Sequence, residues 1–225
     1  MTERKYRSEL KHYITPVDCT ELCSRLKHIA RPDPNASQDG CYKIRSLYFD
    51  NYADKVVTDK LSGASRREKF RLRYYNDDIS FIRLEKKSKI NKGCYKESAA
   101  VTKEQCSEIL YGCYDSLLSS ESQLFSELYS KIRYQNLRPK TIVDYTREAY
   151  IYTAGNVRIT IDSNISSSSS TTEFLNPFIP MIPSANAIIL EVKFDGFLPD
   201  IIKDMIQLDS RHTSEFSKYV VSRLV

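Results

Sequence analysis

The feature that most constrains this chain is a two-residue alternation in which one sign of charge returns in segment after segment. In Arg67–Tyr75, cations stand at Arg67, Lys69, Arg71 and Arg73, while Phe70 and Leu72 point the other way. In 6–14, Arg7, Glu9 and Lys11 share one face and Tyr6, Leu10 and Ile14 the other. In 80–87, Phe81, Arg83, Glu85 and Lys87 oppose Ile82 and Leu84. Arg158, Thr160 and Asp162 oppose Val157, Ile159 and Ile161, and Ile189, Glu191 and Lys193 oppose Ile188, Leu190, Val192 and Phe194. Period-2 alternation of this kind predicts half-buried strands. An ordinary antiparallel sheet also alternates apolar with polar residues, but its wet face usually mixes Thr, Ser, Gln and both charges. Stacked arginines and lysines repel one another, and a bound polyanion would offset that repulsion. A closed barrel is the geometry that sets many strand faces around one ligand. The expected fold is therefore α+β, a closed antiparallel β-barrel with helices packed on its apolar outside.

Length and composition fit one globular unit. The 225 residues are expected to form a single domain, and 41% apolar residues argue against disorder. The longest apolar stretch, 187–190, is far short of the roughly 20 residues a membrane span needs, and no signal peptide is visible at the start. The expectation is a soluble, cytoplasmic protein without membrane insertion. Six cysteines without a CxxC pair read as reduced, packed thiols, and the three histidines lack zinc-ligand spacing. Helices are predicted at 16–29, with Thr15 as N-cap and Pro16 at the first position, and at 51–61. Thr102-Lys-Glu-Gln105 has capping-box form and opens a helical segment to about Leu118. Others are predicted at 121–134, 198–208 and 213–224. Residues 163–186, with the serine run 166–170 and three prolines beyond it, read as a long mobile loop.

Arginine forks suit phosphate oxygens, and lysines supply point charge along a phosphate chain. Arg71 and Arg73 on one strand face are the clearest such pair. Carboxylates among so many cations, at Glu9 and Glu191, fit an oxygen-only site for Mg²⁺ or Mn²⁺, or pairing with Lys11, Arg7 or Lys193. The ordered stretches Arg7-x-Glu9-x-Lys11, Ser46-Leu-Tyr-Phe-Asp-Asn51, Arg71-Leu-Arg73-Tyr and Leu84-Glu-Lys-Lys87 with Lys96 carry a resemblance. So do Asp144-Tyr-Thr-Arg147, Val157-Arg158-Ile-Thr-Ile-Asp162, Leu190-Glu-Val-Lys193 and Ser217-Lys-Tyr219. Together, in this order, they resemble the VTC domain of the vacuolar transporter chaperone type, a branch of the triphosphate tunnel metalloenzymes.

The resemblance implies a triphosphate tunnel fold and a metal-dependent polyphosphate polymerase. Such an enzyme transfers the γ-phosphate of ATP to a growing inorganic polyphosphate chain and releases ADP. Carried over residue by residue, it implies catalytic roles for Lys11, Arg71, Arg73, Lys87, Arg147 and Arg158. It implies substrate-binding roles for Lys96, Tyr145, Lys193, Ser217 and Lys218, and metal binding by Glu191 and Glu9. The hydrolytic relatives open with Glu-x-Glu-x-Lys, whereas Arg7 takes the first carboxylate position here, which favours the polymerase branch. A triphosphate or polyphosphate hydrolase on the same scaffold and a non-catalytic polyphosphate-binding module are the alternatives. A nucleic-acid binder would present a basic outer surface with stacking platforms, and no nucleic-acid partner is expected.

Overall fold

The computed structural model describes residues 7–37, 39–91, 93–118, 122–206 and 216–224. Ten strands are present among them: β1 (Ser8–Ile14), β2 (Arg31–Pro32), β3 (Cys41–Asp50), β4 (Arg66–Tyr75), β5 (Asp78–Ile90), β6 (Gly93–Val101), β7 (Arg138–Tyr152), β8 (Val157–Ser168), β9 (Ile182–Ala185) and β10 (Ile188–Phe194). The helices are α1 (Pro16–Ile29), α2 (Lys55–Leu61), α3 (Lys103–Leu110), α4 (Gln123–Gln135), α5 (Asp200–Ile206) and α6 (Lys218–Val221). The fold is α+β with a large sheet, antiparallel in every strand pair whose register is described.

Hydrogen-bonded neighbours follow the order β1-β10-β8-β7-β3-β4-β5-β6, with β2 beside β7 and β9 beside β8. That path has two ends, so the sheet is not closed into the barrel expected from the sequence. Alternation reports which face of a strand is wet; it carries no information on whether the first and last strands meet.

The chain forms two compact units. The first comprises the described residues of Met1–Lys43, Tyr145–Ile165 and Ala185–Ser217; the second, those of Ile44–Asp144, Ser166–Ser184 and Lys218–Val225. Each has its own apolar core. In the first, Leu22 and Leu26 of α1 and Ile202 and Ile206 of α5 bury against Ile159, Ile161, Leu190 and Val192. In the second, Cys106 and Ile109 of α3 and Phe125, Leu128 and Ile132 of α4 bury against Leu47, Phe49, Phe70, Leu72 and Leu84. In each unit these helices thus cover the apolar sheet face, as the alternation predicted, and the charged face is the opposite one.

Local chemistry explains the element ends. Thr15 Oγ1 accepts from Asp18 N and donates to Asp18 Oδ2, a capping box that opens α1 with Pro16 behind it. Thr102 and Gln105 form the same device at α3. The β4–β5 hairpin turns through Asn76 and Asp77, both left-handed at φ 51° and 58°, residue types that tolerate the two-residue turn with least strain. In the β7–β8 connection Gly155 has φ 71°, and a Cβ there would lie 2.6 Å from the Phe197 carbonyl oxygen; only glycine fits. Buried Arg45 forks onto Asp144, with both bonds at 2.8 Å, and donates to the Asn176 carbonyl at 2.5 Å.

Several expected boundaries shift. The second helix begins at Lys55, because Asn51 Oδ1 accepts from Ala53 N and Lys55 N and Asp54 is left-handed. Helix α3 ends at Leu110, before the left-handed Gly112. Residues 163–186, expected as one long loop, instead carry the end of β8, a 3₁₀ turn at Thr171–Glu173 and strand β9. Ile165, Ser167 and Ser168 are buried there. Serine is indifferent enough to strand geometry that a neighbouring strand decides it. The expected helix ends at 121, 207–208 and 213–215 lie outside the described residues.

Candidate functional site

Strands β4, β5 and β6 set their wet-face residues in cross-strand rows. Arg67 stands opposite Lys89; Lys69 opposite Lys87, which stands opposite Lys96; Arg71 opposite Glu85; and Arg73 opposite Arg83. The face therefore carries eight cations and one acid among the described residues. The lysine row is the most telling, since like charges directly opposite one another destabilise a sheet. Lys87 takes the position the sequence reading favoured over Lys86. Lys86 points to the helix side, where it bonds Glu127 of α4 at 2.5 Å and lies 3.6 Å from Glu68 and from Glu97.

Glu85 is the hub of this face and is 2% exposed. Its Oε2 accepts from Arg71 Nε at 2.8 Å and Nη2 at 2.6 Å, its Oε1 lies 2.5 Å from Lys96 Nζ, and Arg73 Nη1 is 3.9 Å away. Burial alone would raise its pKa, but Arg71, Arg73 and Lys96 outweigh burial and push it down to about 2. Strand β3 supplies the other side. Ser46 and Tyr48 stand opposite Arg73 and Arg71; Ser46 Oγ accepts from Arg73 Nε at 2.9 Å and Tyr48 OH from Arg71 Nη1 at 3.2 Å. Burial raises the Tyr48 phenol, yet Arg71, Lys69 and Arg73 together pull it down to about 7. Behind it, the Tyr219 ring of α6 packs 5.1 Å away, and the Tyr219 hydroxyl donates to Asp50 Oδ2 at 2.8 Å.

The first unit builds a different face. Glu9 stands opposite Lys193, which stands opposite Arg158; Lys11 opposite Glu191, which stands opposite Thr160. Lys11 bonds Glu9 and lies 3.4 Å from Glu191, and Lys193 bonds Glu191 and lies 3.9 Å from Glu9. Burial opposes the charge on Lys11, but Glu191 and Glu9 hold its ammonium above the ordinary range. Burial likewise opposes the Glu191 carboxylate, while Lys193, Lys11 and Arg147 hold it well below its usual value. Arg147 forks onto Asp162 through Nε at 2.6 Å and Nη2 at 2.8 Å, with its guanidinium 5.5 Å from the buried Tyr145 ring. Arg158 Nη2 donates to Asp33 Oδ2 at 2.6 Å and Tyr42 OH at 2.8 Å, while its buried Nε finds no partner among the described residues.

The sequence-derived candidates thus fall into two clusters. Arg71, Arg73, Lys87 and Lys96 share the second unit's basic face; Glu9, Lys11, Arg147, Arg158, Glu191 and Lys193 share the first unit's balanced one, with Tyr145 beside Arg147. Ser217 precedes α6 and Lys218 opens it. Sequence reasoning gave no role to Glu85, although it placed that residue on the correct face. It also missed Tyr48, whose only signal was its place in the Ser46–Asn51 stretch, and Asp33 and Asp162 as carboxylates already holding two of the arginines.

A large antiparallel sheet, backed by helices on its apolar side and gathering arginines and lysines on the other side of β4, β5 and β6, defines the structural class. The chain belongs to the VTC domain family, whose model matches residues 6–225. That places it among the triphosphate tunnel proteins, which handle polyphosphate or nucleotide substrates and generally depend on a divalent metal. A comparison with curated proteins finds no match. Among solved structures, the PH1819 protein of Pyrococcus horikoshii OT3 is similar at 14% identity and TM-score 0.50, over 97% of this chain and 98% of that one. A candidate adenylate cyclase of Bacillus halodurans, bh2851, is similar at 14% identity and TM-score 0.51, over 90% and 87%. At these identities the likeness is one of fold. Among the described residues no helix is long and apolar enough to cross a membrane.

Proposed function

We propose that this protein is a metal-dependent polyphosphate polymerase. In this reading it transfers the γ-phosphate of ATP onto the end of an inorganic polyphosphate chain held by basic side chains, and works in the cytoplasm. The observation that carries the reading is the row Lys69–Lys87–Lys96 beside Arg71 and Arg73, a concentration of positive charge that a string of phosphates would satisfy. A terminal phosphate oxygen of the chain bonds to the γ-phosphorus as the bond between that phosphorus and the β-phosphate's bridging oxygen breaks, and ADP leaves. The attacking oxygen is already anionic, so no general base is needed. What the protein supplies is alignment and charge stabilisation on the transferred group.

In this reading Arg71, Arg73, Lys87 and Lys96 bind the phosphate chain. Lys11, Arg147 and Arg158 stabilise the transferred group, while Tyr145, Lys193, Ser217 and Lys218 help to hold substrate. The unpartnered Nε of Arg158 offers a buried donor for a phosphate oxygen. Glu191 and Glu9 would hold Mn²⁺ or Mg²⁺. Both are oxygen donors, Glu191 stays ionised, and a hard cation of this kind needs only one or two carboxylates when phosphates complete its shell. When bound, the metal withdraws charge from phosphate oxygens.

Incubation with ATP and Mn²⁺, followed by gel sizing of the product, tests the reading. Long chains with ADP are expected, and Arg71→Ala and Lys11→Ala should each abolish them. Free orthophosphate alone would make the protein a hydrolase, and binding of polyphosphate without turnover a binding module.

A further inference from the structure

We infer that Glu85 is a positioning residue of the basic face: a fixed internal counter-anion that aligns Arg71 and Lys96 for phosphate and keeps the face from holding phosphate too tightly. The inference rests on the phosphate-binding reading above. Three observations carry it. Glu85 is the one acid in four rows that otherwise hold eight cations. It is almost wholly buried, at the centre of the three strands. Its donors come from the strands on either side, two from Arg71 of β4 and one from Lys96 of β6.

A carboxylate accepts through four lone-pair positions. Arg71 and Lys96 take three of them, and Arg73 stands 3.9 Å from the same Oε2. Glu85 is thus held by its arginine and lysine neighbours on both oxygens. Arg71 is held from both flanks, by Glu85 on its Nε and Nη2 and by Tyr48 on its Nη1. A guanidinium fixed this way meets a phosphate without first losing side-chain freedom, which is the use of preorganisation at an anion site. The same negative charge, a few ångströms from any phosphate lying on Arg71, repels it through a medium of low effective dielectric. Removing the charge while keeping the shape should therefore tighten phosphate binding and slow turnover. Keeping the charge while shortening the side chain should spare binding and still slow turnover.

The test is titration calorimetry with tripolyphosphate on the full chain, wild type beside Glu85→Gln and Glu85→Asp, with turnover and thermal unfolding measured on the same samples. Glu85→Gln is expected to bind tripolyphosphate about tenfold more tightly, by the Coulomb term for one unit charge at this range, with a steeper salt dependence and a lower kcat. Glu85→Asp should bind within about twofold of wild type, since the charge is retained, and lose most of its kcat. A Glu85→Gln protein that is folded and binds no more tightly than wild type overturns the inference. So does a Glu85→Asp protein with wild-type kcat, which keeps the question decidable if Glu85→Gln fails to fold. Wild-type protein that does not bind tripolyphosphate overturns the functional reading and this inference together. Wild-type protein that binds it without making polymer overturns polymerase activity only, leaving the affinity comparison to decide on Glu85.

Discussion

The charged faces of the two units solve the same electrostatic problem in opposite ways. In the first unit four cations, Lys11, Lys193, Arg147 and Arg158, meet four acids, Glu9, Glu191, Asp162 and Asp33, and every one of them takes part in an ion pair. In the second unit the cross-strand rows of β4, β5 and β6 hold eight cations and one acid, Glu85, among the described residues. A face that is balanced internally is stable without a ligand and exchanges one anion for another when phosphate arrives. A face whose own rows hold like charges opposite one another gains stability when something negative lands on it. Under the proposed function, phosphate affinity would rest mainly on the second unit's face, and the carboxylates proposed for metal lie in the first.

The largest expected effect breaks the surplus side. Arg71→Ala removes a guanidinium held by two partners and should weaken tripolyphosphate binding about a hundredfold, measured by calorimetry at fixed salt. Arg158→Ala, on the balanced side, should weaken it far less. Glu191→Ala leaves Lys11 and Lys193 with Glu9 alone as their shared acid and tips the first face toward positive charge, as in the second. Tripolyphosphate affinity should hold or rise, while the Mn²⁺ response in the polymer assay disappears.

Acid should separate the faces from the unfolded chain. An unfolded glutamate takes its proton near 4.5 and folded Glu85 only near 2. Between those values the unfolded state binds more protons, so stability falls as pH drops through that window. This one group contributes up to about 3 kcal/mol to the loss. Denaturation midpoints followed from pH 5 to pH 2.5 should show that slope, and Glu85→Gln should flatten it. Gly155→Ala forces a left-handed alanine against a carbonyl and should cost about 2 kcal/mol, read as a lowered unfolding midpoint. The smallest effect sharpens the surplus side. The Tyr48 phenol should titrate near pH 7 by tyrosinate absorbance, move upward when tripolyphosphate covers Arg71 and Lys69, and vanish in Tyr48→Phe.

Much of this was legible in the residues, because strand periodicity is a local property. The alternation in 67–75 and 188–194 named both faces of β4 and β10, and Thr15 with Pro16 marked the start of α1 at the residue observed. Strands β3 and β7 were not predicted. β3 is nearly continuous in buried residues and β7 carries the buried run Thr141–Tyr145, with Arg45 and Asp144 hidden as a pair, so neither shows a clean alternation. Barrel closure, the partners of Arg147 and Arg158 and the centrality of Glu85 all depend on which strand lies beside which. No local pattern encodes that.

The Lys86 ion pair on the helix side has a consequence for the opposite face. A strand has only two sides, and a shift of one place exchanges them. With Lys86 clasped by Glu127 of α4, β5 is pinned like a key in a keyway, and Glu85 and Lys87 have no choice but to point away from the helix. A single extra residue between Glu85 and Lys86 would turn the preceding part of the strand inside out, delivering leucine where charge belongs and burying a lone glutamate under the helices.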